Sequence, residues 1–501
     1  MIINGILSII NPTCLLLILG GVIMGIIFGA LPGLTSTMGV ALCLPLTFSM
    51  NTIQSLSLLI GVYVGGISGG LISAILLKIP GTPSSIATTF DGGPMAERGE
   101  AGKALSVGLF YSFLGTMFGV ALMIFMAPSI AQITIKFSCY EYFAIGVFSL
   151  TMVGSLVSGN PLKGLASCVV GLCLAMVGLA PVSSTLRYTY GNHNLDSGFA
   201  LLAVMVGLFA VADILTSAKE GFEEDKGSIR KDYKLQGIGV SRKEFIQQLP
   251  NAFRSALIGM GIGILPGIGG GTSNMIAYAV AKNASNRPEK FGTGCIDGII
   301  ASETSNNAGI GGALITLLTL GIPGDTVTAM MLSAFMMHGL STGPMLFKTD
   351  GVLVYGIFAA VVLATVFMFL VEYGFMAGFV RILAIPRYIL LPVIVVLCVI
   401  GTFGNNNRVF DVWTVLIFGL IGFAMKELGF SLSPMILGFI LESTIETNLI
   451  RGLQLSKNNW MAFFTRPISV VFYLLAIVSI VMALRKMIRA NKTVGQEERI
   501  A

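Results

Sequence analysis

Long apolar stretches separated by short polar joints fill most of the chain. A first group covers residues 14–30, 56–77, 105–127, 142–157, 165–180 and 199–215. A second covers 256–265, 296–320, 327–347, 352–375, 389–403, 412–425, 433–441 and 468–484. A helix needs about 20 residues to cross the hydrocarbon core of a bilayer. Several stretches are too short or too broken to do so alone. The pattern therefore predicts an all-α polytopic membrane protein, with about ten to thirteen transmembrane helices plus re-entrant or broken helices.

One long polar stretch, 217–250, divides the two groups, and from Lys219 to Glu244 it holds seven basic and six acidic residues. Its Lys and Arg side chains favour the cytoplasmic side, as do Arg485, Lys486, Arg489, Lys492 and Arg499 after the last stretch. This predicts a first transmembrane repeat at 1–216 and a cytoplasmic linker at 217–250. A second repeat with additional helices follows at 251–484, then a basic cytoplasmic tail at 485–501. Residues 1–12 lack a basic region ahead of the first apolar run, so they do not read as a cleaved signal peptide.

The two groups repeat one another. Gly29-Ala-Leu-Pro-Gly33 recurs as Gly263-Ile-Leu-Pro-Gly267, an offset of 234. Ile79-Pro-Gly-Thr82 recurs as Ile322-Pro-Gly-Asp325, an offset of 243. Gly69-Gly70 and Gly311-Gly312 precede the second motif in each group. A Pro-Gly pair removes a backbone donor and releases helical geometry, so each motif predicts a helix broken at membrane depth. The freed backbone groups must be buried in protein or line a wet cavity, and matched breaks in two halves point to a transport site. Proline kinks used only for packing would give the same residues.

Composition agrees with a bilayer protein. Only 11% of the 501 residues are charged, against roughly 25% in soluble domains, and 54% are hydrophobic. The 62 glycines allow close helix approach. Seven scattered cysteines without metal spacing and two histidines, His193 and His338, argue against a disulfide framework or a zinc site. The net charge of +6 sits in joints between apolar spans and predicts no nucleic-acid partner. No phosphate-binding loop is visible: Gly102-Lys103 is followed by Ala104, and residues 91–103 read as a solvated connecting loop.

Hydroxyls and amides crowd the breaks: Thr35, Ser36, Thr82, Ser84, Ser85, Thr88, Thr272, Ser273, Asn274, Thr304, Ser305, Asn306, Asn307, Thr326 and Thr328. Such groups can donate to carboxylate oxygens or offer acceptors to a cation, or simply bond back to their own helix. The candidate substrate-binding set is Pro32, Gly33, Thr35, Ser36, Lys78, Pro80, Gly81, Thr82, Gly271, Thr272, Ser273, Pro323 and Gly324. The candidate coupling-cation set is Asn274, Ser305, Asn306 and Asp325. Lys78 could attract a carboxylate or snorkel to the interface. Glu303 and Asp325 could carry a proton, hold a cation, or pair with a base.

GALPGLTSTMGVALCLPLTF (29–48), KIPGTPSSIATTFDGGPMAERGEAGKAL (78–105) and TLGIPGDTVTAMMLSAFMMHGL (319–340) resemble the large membrane subunit of bacterial tripartite tricarboxylate transporters. The resemblance implies a secondary transporter of the cytoplasmic (inner) membrane. It would work with a small four-span membrane subunit and a periplasmic solute-binding protein, and import tricarboxylates such as citrate or other organic carboxylates. A sodium or proton gradient would drive it, with no covalent cofactor. Inverted topology of the halves and an elevator-like movement are expected to follow. Departures from the family pattern at Lys78, Gly269–Asn274, Thr304-Ser305 and Asp325 leave the transported acid open.

Two other classes share these features. A passive anion channel can also be built from duplicated broken helices. Gly66-Ile-Ser68-Gly69 matches a short intramembrane serine-protease pattern, but only His338 lies near a span to serve as its base. Gly324-Asp325 lacks the glycine at 322 that an aspartyl intramembrane protease needs. The sequence therefore predicts a transporter rather than an enzyme.

Overall fold

A computed structural model describes residues 1–156, 160–220, 235, 237–382 and 387–497. The first half opens with α1 (Ile2–Ile9), α2 (Pro12–Ala30), α3 (Ser36–Cys43), α4 (Thr52–Leu76), α5 (Ile86–Glu97) and α6 (Ala101–Thr134). It continues with α7 (Cys139–Leu156), α8 (Pro161–Ala175), α9 (Leu201–Met205) and α10 (Ala212–Glu220), the last two joined by a π-helical turn over Val206–Val211. The second half holds α11 (Arg242–Gly263), α12 (Gly269–Ala284), α13 (Ile296–Leu320), α14 (Thr326–Met337), α15 (Leu346–Thr349) and α16 (Gly351–Ile382). It ends with α17 (Arg387–Asn406), α18 (Val409–Glu427), α19 (Leu432–Leu455) and α20 (Pro467–Glu497). The described β structure is one hairpin, β1 (Gly178–Leu179) with β2 (Leu186–Arg187), pairing Gly178 with Arg187.

The protein is an all-α polytopic membrane protein. Among the described residues, six helices are long and apolar enough to cross a bilayer: Pro12–Ala30, Thr52–Leu76, Ala101–Thr134, Leu201–Lys219, Gly351–Ile382 and Val409–Glu427. Shorter apolar helices accompany them. The apolar stretch 327–347 is not one span, because α14 stops at Met337 and a turn at Gly339 (φ 71°) leads to α15. The linker predicted at 217–250 retains helix at both ends, through Glu220 and from Arg242, while 221–234 and 236 lie outside the described residues. Most of the predicted tail continues α20 to Glu497.

Local sequence explains where the helices begin. Asn11 caps α2 by accepting from the Cys14 amide at 2.9 Å, with Pro12 in the first turn, where its missing N–H costs nothing. Asn51 and Gln54 form a reciprocal capping box on α4, and Ser241 and Glu244 do so on α11.

The packing pairs elements of the two halves crosswise. Helix α4 lies against α2 and also against α16 of the other half; α13 lies against α11 and also against α6 of the other half. The peripheral helices follow the same rule, with α19 on α8 and α18 on the π-helical turn. A polar clasp adds to this. Asp91 Oδ1 accepts the amides of Gly292 (2.9 Å), Gly294 (2.8 Å) and Cys295 (2.9 Å), and its Oδ2 accepts the Tyr278 hydroxyl at 2.9 Å. Residues 91–103 are therefore not simply a solvated loop: α5 runs to Glu97, and Asp91 is buried against the second half.

Candidate functional site

The sequence motifs break their helices as expected, and glycine lets the broken pieces pack closely. Helix α2 ends before Pro32, and Gly33 turns the chain at φ 85°. A Cβ on Gly29 would strike the carbonyl of Gly66, and one on Gly81 would strike the Gly29 carbonyl and come within 3.1 Å of the Gly70 Cα. The same contacts recur in the second half: a Cβ on Gly263 would strike the Gly309 carbonyl. One on Gly324 would lie 2.7 Å from the Gly263 carbonyl and 2.5 Å from the Ala313 Cα. These residues stand at the sequence offsets of 234 and 243, so each second break docks on the first break of its own half.

In the first half, Thr35 caps α3 through the Met38 amide at 3.2 Å. Pro32 is buried and Gly33 exposed. Ser36 is buried over Gly66, and its hydroxyl has no partner. Thr82 is buried over Gly70, one helical turn further along α4. Pro80 is half-buried and Gly81 buried. Lys78 is not brought to this cluster: its exposed ammonium pairs with Glu97, and its stem covers Gly93.

The second half meets these residues through α12. The Asn274 side-chain amide donates to the Ser84 carbonyl, while its Oδ1 has no partner. A Cβ on Gly270 would lie 2.6 Å from Asn306 Oδ1 and 2.9 Å from Ser84 Oγ, which puts Asn306, Gly270 and Ser84 in one place. Gly271 abuts the Pro83 carbonyl at 3.3 Å by the same measure. Thr272 is half-buried and Ser273 buried, and the Ser273 hydroxyl donates to the Gly270 carbonyl at 3.0 Å. Ser305 is buried where α13 crosses α11 at Gly259, with no partner for its hydroxyl. Pro323 and Gly324 are buried.

Asp325 is committed to structure. It caps α14, accepting from the Thr328 amide and hydroxyl, both at 2.7 Å on Oδ1, and its Oδ2 accepts the Tyr63 hydroxyl at 2.5 Å. Tyr63 belongs to α4, so this bond crosses between halves, as does Thr37 Oγ1 to Thr326 Oγ1 at 2.9 Å. The carboxylate has three donors and little capacity left for a cation. Asn306 is the opposite case: it is buried, and neither its Nδ2 nor its Oδ1 has a partner. Leaving a buried polar group unpaired costs about 1–3 kcal/mol. Among the described residues, the unpaired atoms of Asn274 and Asn306 lie where α12 and α13 meet Ser84 of the first half, and the unpaired Ser36 hydroxyl lies on α4 at Gly66. Donor nitrogens there suit carboxylate oxygens, and acceptor oxygens suit a cation.

Two fully buried acids bond across the halves. Glu303 Oε1 accepts from Thr88 at 2.5 Å, and its Oε2 accepts from Ser112 at 2.9 Å and Asn307 at 3.4 Å. Glu372 Oε2 accepts from Ser68 at 3.0 Å, and its Oε1 has no partner. Ser68, the serine of the protease-like pattern, thus faces a carboxylate rather than a histidine. Sequence reasoning missed Tyr63 and Glu372. Glu372 carried a signal, as an acid inside the apolar stretch 352–375.

Residues 15–437 match the model of the tripartite tricarboxylate transporter TctA family. A 52.8 kDa protein in the TAR-I ttuC' 3' region of Agrobacterium vitis is 34% identical over 472 residues, covering 94% of this chain and 93% of the relative. A protein in the TAR-II ttuC' 3' region of the same organism is 33% identical over 231 residues, covering 46% of this chain and 96% of the relative. No solved structure matches. The family is one of transporters that work in tripartite systems, and by motif, fold and match across most of its length, this chain belongs to the tripartite tricarboxylate transporter TctA family.

Proposed function

We propose that the chain is the large membrane subunit of a binding-protein-dependent secondary transporter. It imports tricarboxylates or other organic carboxylates across the bacterial inner membrane, driven by a sodium or proton gradient. The observation that carries this reading is the pair of buried, incompletely bonded amides, Asn274 and Asn306, gathered at Ser84 between broken helices of the two halves. Buried polar atoms without partners are retained at a cost, and a transported solute would supply the missing bonds.

In this mechanism the substrate carboxylates lie against Ser36, Thr82, Ser84 and Asn306, with the backbone at Gly81 and Gly324 supplying close approach. Where sodium is the coupling ion, it takes the oxygens of Asn274, Asn306 and Ser305. Asp325 and Tyr63 hold the second break of one half against the central helix of the other, so that the site changes shape when the halves move. The basic linker and tail face the cytoplasm. A small four-span membrane subunit and a periplasmic solute-binding protein complete the system, the latter delivering the acid to the outer face.

Reconstitution of the chain with its small subunit in liposomes tests this. A substrate-loaded binding protein is added from a carboxylate panel, with an imposed sodium or proton gradient. Accumulation that collapses with one ionophore is expected. Equilibration without accumulation, under every gradient, would make the protein a channel and the cation site wrong.

A further inference from the structure

Glu372 is a buried acid in mid-helix with almost nothing to hold its charge; Asp411, which also has one side-chain donor and an unpaired oxygen, lies instead in the first turn of α18. It is 0% exposed, and among the described residues its one donor is Ser68 and Oε1 is unpaired. Helix α16 packs on α1, α2, α4, α6 and α15. Helices α1, α2 and α4 contain no Asp, Glu, Lys or Arg. The one charged residue of α6, Lys103, lies 3.8 Å from Glu244, and Lys348 of α15 sits beyond the opposite end, with Asp350 and the Met1 amine. The remaining titratable groups on these elements are Cys14, Tyr63 and Tyr111, with Tyr355, Tyr373 and Arg381 on α16 itself. The acid within electrostatic reach is Glu303 of α13, which offers no counter-charge.

We propose that Glu372 carries the coupling proton, with Ser68 positioning its carboxyl between the halves. This rests on the secondary-transport reading above. An isolated ionised carboxylate is expensive in such surroundings, and protonation removes the charge. A metal cation needs a shell of several oxygens; among the described residues, Ser68 Oγ is the one polar partner of Glu372. Helix α16 also leaves helical geometry at Phe375 (φ −117°, ψ 16°), three residues beyond Glu372. In this proposal the kink is the pivot about which the helix would move to leave the carboxyl dry or wetted. When it is wetted, the O–H bond of Glu372 breaks, its electron pair stays on the carboxylate, and the proton passes to water on that side. Taking up a proton from the opposite side restores the dry, neutral form.

The test uses the purified chain and vesicles in which it is reconstituted with its partner subunits. Infrared difference spectra between low and high pH should show the carbonyl stretch of a buried carboxylic acid, lost in Glu372→Gln and retained in Glu303→Gln. With citrate as the probe and a trapped pH dye, substrate addition should drive proton entry in wild type. Glu372→Gln should lose proton entry and pH-driven accumulation at least tenfold while keeping citrate–citrate exchange. Ser68→Ala should shift the pH profile of uptake, and a thermal melt checks that each variant is folded. An unchanged carbonyl band and unchanged proton entry in folded Glu372→Gln would overturn the proposal. Wild-type accumulation driven by sodium alone, without proton entry, would overturn it and leave the transport reading standing. No wild-type accumulation under any gradient would overturn both.

Discussion

Helices α4 and α13 occupy matching places in the two halves, yet only one of them looks like a membrane helix. Both are wrapped on all sides, and both carry the glycine contacts that dock the second break on the first. Along α4, positions 59–64 read Leu-Ile-Gly-Val-Tyr-Val, whereas positions 302–307 of α13 read Ser-Glu-Thr-Ser-Asn-Asn at an offset of 243. Helix α4 supplies a smooth scaffold and two long polar reaches, Tyr63 to Asp325 and Ser68 to Glu372. Helix α13 supplies Glu303, Ser305 and Asn306, of which the Asn306 amide has no partner among the described residues. The shared backbone contacts set the architecture, and the divergent side chains concentrate the chemistry in one half.

Breaking what the helices share should do the most damage. Gly81→Ala and Gly324→Ala each place a methyl into backbone of the same half. Each should lower stability by about 1–3 kcal/mol or more, read as a lower melting midpoint and loss of monodisperse protein. If either variant melts like wild type, the docking of the second break on the first is wrong for that half.

Tyr63→Phe removes the bond that α4 sends across to Asp325, leaving a carboxylate oxygen unpaired. A cost of about 1–3 kcal/mol is expected, together with slower uptake, because the second break is loosened. Asn306→Ala should behave in the opposite way. Stability should hold or rise, since two unpaired polar atoms disappear, while uptake falls at least tenfold, about 1.4 kcal/mol of lost interaction. Uptake unchanged in both Asn274→Ala and Asn306→Ala would remove the cation site from the account. The smallest effect is expected far from the comparison: Ser241→Ala deletes a helix cap on α11, worth about 1 kcal/mol in the melt, and should not alter uptake.

The breaks were legible because Pro and Gly act locally, and Pro32-Gly33 and Pro323-Gly324 interrupt helices wherever the rest of the chain folds. Polar residues near the breaks were legible as residue types: Ser36, Asn274 and Asn306 are each buried with an unpaired polar atom among the described residues. Direction was not legible. Lys78 follows α4 with positive φ (56°), which turns its side chain to Glu97. Asp325 was a candidate to hold a cation, carry a proton or pair with a base, and it is a helix cap held by a tyrosine distant in sequence. Asp91 seemed part of a solvated loop, because nothing local shows that amides at 292–295 will surround it. Span counting is affected too: the apolar stretch 296–320 forms one buried helix, α13, yet its polar residues leave it outside the six helices apolar enough to cross a bilayer.

The central claim is that solute binds between the broken helices of the two halves. A cryo-electron microscopy map of the complex in citrate and sodium tests it most directly. Density touching Ser84, Asn274 and Asn306 is the predicted result, absent from a map of Asn306→Ala collected under the same conditions. Citrate density at a position away from these residues, unchanged by the substitution, would contradict the account.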